Sequence, residues 1–185
     1  MGFSARKAPF LVRLKIMERQ RLAVFYYGHG TKQTIIGDEF MNRPIPRAHL
    51  VTKDLDKPAN RKTVELLRGC LFFTVACDSA DDLGYWLVDN GVEAFVGSTQ
   101  PMWITQDFDW DGNGVADITD VMTLAPRRLL EGASLDQAVE DFRGRALEMM
   151  NNYQFEVGAS DLSEMMDFNV RDYKVIGNGG WKFDG

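Results

Sequence analysis

The sequence predicts an α/β fold built on a mostly parallel sheet with helices on both faces. Three observations predict it. Short, predominantly apolar blocks, residues 22–27, 71–76 and 93–96, alternate with segments of helical spacing. Strands buried on both faces have that composition. Each block runs into a turn (Gly28-His29-Gly30, Cys77-Asp78-Ser79, Gly97-Ser98-Thr99), at the strand end where parallel sheets collect functional groups. The chain of 185 residues, 45% hydrophobic and 26% charged, suits one domain spanning 1–185.

The elements are read in order. Residues 11–22 place apolar groups at helical spacing. Residues 22–27 form the first strand and stop at Gly28. Residues 31–60 hold Pro44, Pro46 and Pro58, so loops with at most a short hairpin are expected. Residues 60–68 read as a helix with Asn60 as N-cap and Gly69 as its end. The second strand, 71–76, leads straight into Cys77. A helix over 81–90 stops at Gly91, and a third strand covers 93–96. Helices follow over 120–131 and 134–152, the latter capped by Ser134. Residues 170–176 close the series as a strand.

Charge and cysteine usage narrow the function classes. There are 21 Lys+Arg against 27 Asp+Glu, a net charge of −6, so no nucleic-acid partner is expected. No apolar run reaches 18 residues, so no membrane span is expected. The basic residues at 13 and 15 interrupt the first apolar patch, and no secretory signal is read. Two cysteines do not make a disulfide framework, and free thiols are expected.

His29 and Cys77 carry the chemistry. Each directly follows an apolar strand. A thiolate is the reactive form of cysteine, and a neighbouring histidine generates it near neutral pH. Taken singly, a strand-end cysteine is a small buried apolar residue. The two together, at the ends of two strands, make a dyad if the strands are neighbours. Glycines beside the histidine let backbone approach a substrate and offer an N–H to an oxyanion. Cys70 lies before its strand and is read as structural. His49, in a proline-rich loop, is read as a surface residue.

Phe25-Tyr26-Tyr27-Gly28-His29-Gly30 and Phe72-Phe73-Thr74-Val75-Ala76-Cys77-Asp78-Ser79 resemble the two signature blocks of clan CD cysteine peptidases, the group of caspases, legumain, clostripain, separase and the gingipains. The separation (77 − 29 = 48) is close to the roughly 50 residues of caspases. Val75-Ala76-Cys77-Asp78-Ser79 departs from the caspase Gln-Ala-Cys-x-Gly pattern, so the chain is more similar to the legumain and gingipain side. Residues 83–98, ending Val96-Gly97-Ser98, and Tyr173-Lys174-Val175-Ile176-Gly177-Asn178 also look like that group. The resemblance implies a caspase-like three-layer α/β/α sandwich and peptide-bond cleavage through an acyl-enzyme. It implies Cys77 as nucleophile, His29 as proton-transfer group and the N–H groups of Gly30 and Cys77 as oxyanion hole. Substrate contacts are expected at Asp78, Ser98 and Trp103. Asp78 has two readings, selection of a basic P1 side chain or N-cap of the next helix. The family places two strands and a helix before the histidine strand, whereas 23 residues precede Val24. A trimmed domain, or a second chain or segment supplying strands, is therefore expected.

The stretch 107–120 is the other signal, a calcium-binding insertion. With Asp109 as position 1, Asp109, Asp111, Asn113, Asp117 and Asp120 fall at 1, 3, 5, 9 and 12. Gly114 falls at 6, and Val115 offers its carbonyl at 7. That is the ligand order of the twelve-residue Ca²⁺ loop. The terminal aspartate resembles dockerin and thrombospondin-type loops. A helix from Val121 onward would follow as in a dockerin. Four aspartates this close repel one another without a cation. Asp107 adds a ligand or merely charge. Calcium is expected to order a loop near the substrate pocket, and it favours an extracellular or cell-surface setting. Trp86, Trp103, Trp110 and Trp181 are read as packing or pocket walls. Met149, Met150, Met165 and Met166 are read as core. The rival readings are a catalytically silent caspase-like module for calcium-dependent partner binding or regulation, and a dockerin-like adhesion module.

Overall fold

The computed structural model describes residues 22–36, 49–55, 58–101, 114–157 and 160–183; within these, the side chains of 49, 50, 59, 114–119, 156, 157, 160–162 and 165 lie outside the description. The expected helix at 11–22 and the residues Trp103 and Trp110 fall outside it too. In chain order come β1 (Ala23–Tyr27), β2 (His29–Thr31), β3 (Thr34–Ile36), β4 (His49–Thr52), α1 (Pro58–Leu66), β5 (Leu71–Val75) and α2 (Leu83–Asp89). Then follow β6 (Ala94–Ser98), α3 (Gly114–Leu130), α4 (Leu135–Asn151), a π-helical segment (Asn152–Val157), α5 (Ser160–Arg171) and β7 (Tyr173–Gly177).

The main sheet has the order β1-β5-β6-β7. β1 and β5 run parallel, in register from Ala23 opposite Leu71 to Tyr27 opposite Val75. β5 and β6 are also parallel, and β7 is antiparallel to β6. The sheet is thus mixed but mostly parallel. Alternation along the strands divides their side chains between two cores. Leu71, Phe73, Val75, Ala94 and Val96 pack with α3, α4 and α5 through Val121, Leu129, Phe142 and Met166. Phe72, Phe95 and Ile176 face the other way, onto Val64 of α1 and Leu83 and Leu87 of α2. The result is an α/β/α layering, and all five residues of β5 are buried. Phe72 and Phe95 stack 5.8 Å apart. Each such fully buried side chain contributes roughly 1.5–3 kcal/mol.

Several local expectations are corrected. Residues 31–60 hold more than a short hairpin, because β2, β3 and β4 form a three-stranded antiparallel sheet. His49 is the first residue of β4, opposite Ile36, rather than a loop residue. Asn60 is not an N-cap. α1 begins at Pro58, where a missing N–H is harmless. The Asn60 side chain, buried, instead donates to the Asp54 carbonyl at 2.7 Å. Asp78 does not cap the next helix either, which starts at Leu83 after Asp82. α3 begins at Gly114, ahead of the expected 120, and α5 was not expected at all. Other signals hold. Gly69 (φ 73°) and Gly91 (φ 101°) follow helix ends in the left-handed region. Ser134 Oγ accepts from the Gln137 N–H at 3.3 Å. Trp181, Met149 and Met166 are buried in the core, and Trp86 packs partly buried against the other cluster. Among the described residues no helix is long and apolar enough to cross a membrane.

Candidate functional site

β1 and β5 are neighbours, parallel, and end level with each other at Tyr27 and Val75. His29 lies two residues beyond Tyr27, and Cys77 two residues beyond Val75. The Gly28 N–H donates to the Val75 carbonyl at 3.0 Å, which fastens the start of β2 to the end of β5. Gly30 completes the approach. A Cβ added there would lie 2.9 Å from Ala76 Cβ and 3.0 Å from the Cys77 carbonyl oxygen. The backbone of β2 therefore rests on the turn that carries Cys77, and only a glycine fits. His29 is exposed, and Cys77 is a half-buried thiol outside any disulfide. The fold thus brings His29, Gly30 and Cys77 to one place at the carboxyl end of the parallel strands.

The turn after Cys77 is fixed from beneath. Asp78 has φ 51°, the left-handed conformation that aspartate tolerates better than most residues. Its N–H donates to the Gln100 carbonyl at 3.0 Å, and the Ala80 N–H to the Ser98 carbonyl at 2.9 Å. Ser79 Oγ lies 2.8 Å from Thr74 Oγ1 and donates to the Ala76 carbonyl at 3.0 Å. Ser98 is fully buried, with its hydroxyl 3.0 Å from the Gln100 carbonyl and 3.1 Å from the Gln100 nitrogen. Of the three expected substrate contacts, Asp78 borders Cys77, Ser98 holds the chain after β6, and Trp103 lies outside the described residues.

Charges join the small sheet to this turn. Lys32 Nζ lies 2.7 Å from Asp81, and Lys53 Nζ lies 2.6 Å from Asp82. The Asp81 hydrogen bond pushes the Lys32 ammonium above its usual range. Burial pushes the Tyr27 phenol up to about 12 and raises Tyr173 further, with Tyr27 and Cys77 as added causes for Tyr173. Cys70 differs from Cys77. It is buried, and desolvation with Glu93 pushes its thiol up to about 11. Sequence reasoning missed Thr74, Ser79, Lys32, Lys53 and Tyr173. The Lys residues carried no signal, since their carboxylate partners meet them only through tertiary structure. Tyr173 carried one, as a residue inside the strand expected over 170–176 and the first of the block Tyr173–Asn178.

The stretch 107–120 expected to bind calcium is described only from 114 onward. Asp109, Asp111 and Asn113 lie outside the described residues. Val115 and Asp117 belong to the backbone of α3, where a carbonyl is engaged by the N–H four residues on. Asp120 Oδ1 accepts from Arg127 Nη2 at 2.5 Å, and Arg145 lies 3.8 Å from its other oxygen. Among the described residues no three His, Cys, Asp or Glu side chains converge as a metal group. No protein-family model, curated protein or solved structure matches the chain.

Proposed function

We propose that the chain is a cysteine endopeptidase of caspase-like architecture, with His29 and Cys77 as its dyad. The observation that supports the reading is the joint ending of β1 and β5 at Tyr27 and Val75, with His29 and Cys77 each two residues further along the chain. His29 takes the proton from Cys77, and the sulfur attacks the carbonyl carbon of a protein or peptide substrate. The C–N bond breaks as His29 returns the proton to the leaving amine, and water then hydrolyses the thioester. The N–H groups of Gly30 and Cys77 are assigned to the oxyanion. In a two-residue hairpin the closing pair, here Thr31 and Thr34, is hydrogen-bonded. Bonded and non-bonded pairs alternate, so Gly30 falls on a non-bonded position of the open edge of β2. That supports a Gly30 N–H directed away from β3. Asp78 borders the nucleophile and suits a basic P1 side chain, with Trp103 as a further contact.

The same reading assigns Ca²⁺ to the side chains of Asp109, Asp111, Asn113, Asp117 and Asp120, all hard oxygen donors in calcium-loop order, and the Val115 carbonyl would join them only if the first turn of α3 unwinds on binding. Asp120 would exchange Arg127 for the ion. Bound there, calcium orders the chain between β6 and α3.

The dyad is tested by labelling with peptidyl electrophiles bearing Arg, Lys, Asp or Asn at P1, followed by mapping of the modified cysteine. Labelling at Cys77 is expected, with peptide hydrolysis lost in Cys77→Ala. In His29→Ala the rate is expected to drop by about 10²–10⁴. Labelling of Cys77 that ignores His29, or hydrolysis that survives Cys77→Ala, overturns the proposal. A folded, calcium-loaded chain that neither labels nor hydrolyses is a silent module.

A further inference from the structure

One row of side chains crosses the sheet at its carboxyl end. Tyr27 is opposite Val75, and Ser98 is opposite Tyr173. Phe73 pairs with Val96, and two further residues along both parallel strands bring Val75 level with Ser98. The period of two places Tyr27, Val75, Ser98 and Tyr173 on the face that carries α3 and α4. β5 ends at Val75, and Ala76 beyond it packs in the opposite cluster, so the chain enters Cys77 between the strand ends that carry the two phenols.

The two phenols are not equivalent. Tyr27 is committed elsewhere, because its hydroxyl donates to the Met122 carbonyl at 3.0 Å. That carbonyl needs a donor, since Pro126, four residues on inside α3, has no N–H to give it. Tyr173 is buried against Phe142, with ring centroids 5.2 Å apart, and against Phe73 at 6.3 Å. Its phenol is held neutral by burial, and Cys77 adds to the same effect. A phenol that stays protonated keeps its O–H as a donor throughout the range in which a thiol ionises.

We propose that Tyr173 is a positioning residue whose phenolic O–H donates to the Cys77 sulfur, holding the thiolate toward the end of β1. The proposal rests on the dyad reading only in taking Cys77 as the reacting sulfur. The other charged or titratable groups around this turn are His29 and Tyr27 from β1 and β2, and Asp78, Asp81 and Asp82 of the turn itself. Among the described residues, Lys32 beside the small sheet, Arg143 of α4 and Asp172 beside β7 complete the set. Arg143 Nη2 donates to the Tyr173 carbonyl at 2.5 Å and so fixes the strand rather than the thiol. A donor to a thiolate favours the ionised form, so its removal moves ionisation to higher pH.

The test is the pH profile of iodoacetamide alkylation at Cys77 in the full chain, read by peptide mapping so that Cys70 is counted apart. Tyr173→Phe keeps the ring contacts and removes only the hydroxyl. Its midpoint is expected to rise by about 1 unit, with a several-fold slower reaction at pH 7. Tyr27→Phe is expected to lower the melting temperature and leave the midpoint in place. A folded Tyr173→Phe with the original midpoint overturns the proposal, as does an equal shift in both variants. Should Tyr173→Phe not fold, 3-fluorotyrosine incorporated throughout makes every phenol a stronger donor. A lower Cys77 midpoint is then expected, and an unchanged one overturns the proposal. Alkylation needs no substrate, so a shifted profile without peptide hydrolysis removes the peptidase reading alone.

Discussion

At the scale of single residues, the site depends on what is missing as much as on what is present. Gly30 has no Cβ where one would meet Ala76 and the Cys77 carbonyl at about 3 Å. Gly84 is equally confined, with a virtual Cβ 2.6 Å from Phe95 Cδ1, but it packs α2 on the sheet away from Cys77. The two glycines separate packing from chemistry. Gly30→Ala and Gly84→Ala are each expected to lose about 1–3 kcal/mol by overpacking. Only Gly30→Ala is also expected to slow electrophile labelling at Cys77, by tenfold or more, in the fraction that remains folded. Denaturant melts beside labelling rates check this, and a Gly30→Ala chain labelled at the original rate sinks the oxyanion assignment. The sequence displayed His29, Gly30 and Cys77 openly, because each stands where an apolar run stops. It displayed Tyr173 as a strand residue but not its place beside this end of the sheet, which comes from the antiparallel return of β7 opposite Ser98.

At the scale of elements, legibility followed the source of the stabilising contacts. β1, β5 and β6 were readable because strands covered on both faces are continuously apolar. β2, β3 and β4 are three or four residues long. Strands that short carry no period; β2 and β3 pair through a two-residue hairpin, and β4 joins them only after the chain returns from 36 to 49. α5 hid because its buried residues include Ser163 and Asn169 beside Met166 and Val170, which blurs the apolar face. α3 is the sharpest case. Pro126 argues for a break, yet the helix runs on to Leu130, with Tyr27 of β1 supplying the donor that Pro126 lacks. Strand and helix are then coupled in a measurable way. Tyr27→Phe is expected to cost about 1–3 kcal/mol by orphaning the Met122 carbonyl. Pro126→Ala restores the helical donor, so the same change should cost about 1 kcal/mol less in that background. A double-mutant cycle by denaturant melts measures the difference, and strictly additive effects would remove this account of the proline.

At the scale of the whole molecule, α3 joins the end of the acidic stretch 107–120 to the sheet. Its first turns contain Asp117 and Asp120, its middle gives Met122 to Tyr27, and Val121, Ala125 and Leu129 are buried in the core shared with β5 and β6. Tyr27 precedes His29 by two residues, so a cation bound at the start of α3 acts on a helix already tied to the histidine strand. With a net charge of −6 and aspartates concentrated at 107–120, like charges there repel one another, and a bound cation would relieve that repulsion. Calcium is therefore expected to raise the melting temperature and the Cys77 labelling rate together. Saturation at one hundred times the dissociation constant corresponds to about 2.7 kcal/mol. Asp111→Ala is expected to abolish both responses while leaving the chelator-treated chain unchanged. Asp120→Asn should act differently, because it also weakens the pairing with Arg127 and lowers stability even without calcium. Melting and labelling across free calcium, with magnesium as the control ion, decide the matter. A melting temperature that rises while labelling stays constant confines calcium to the fold. Constancy of both in excess chelator removes the ion from the protein altogether.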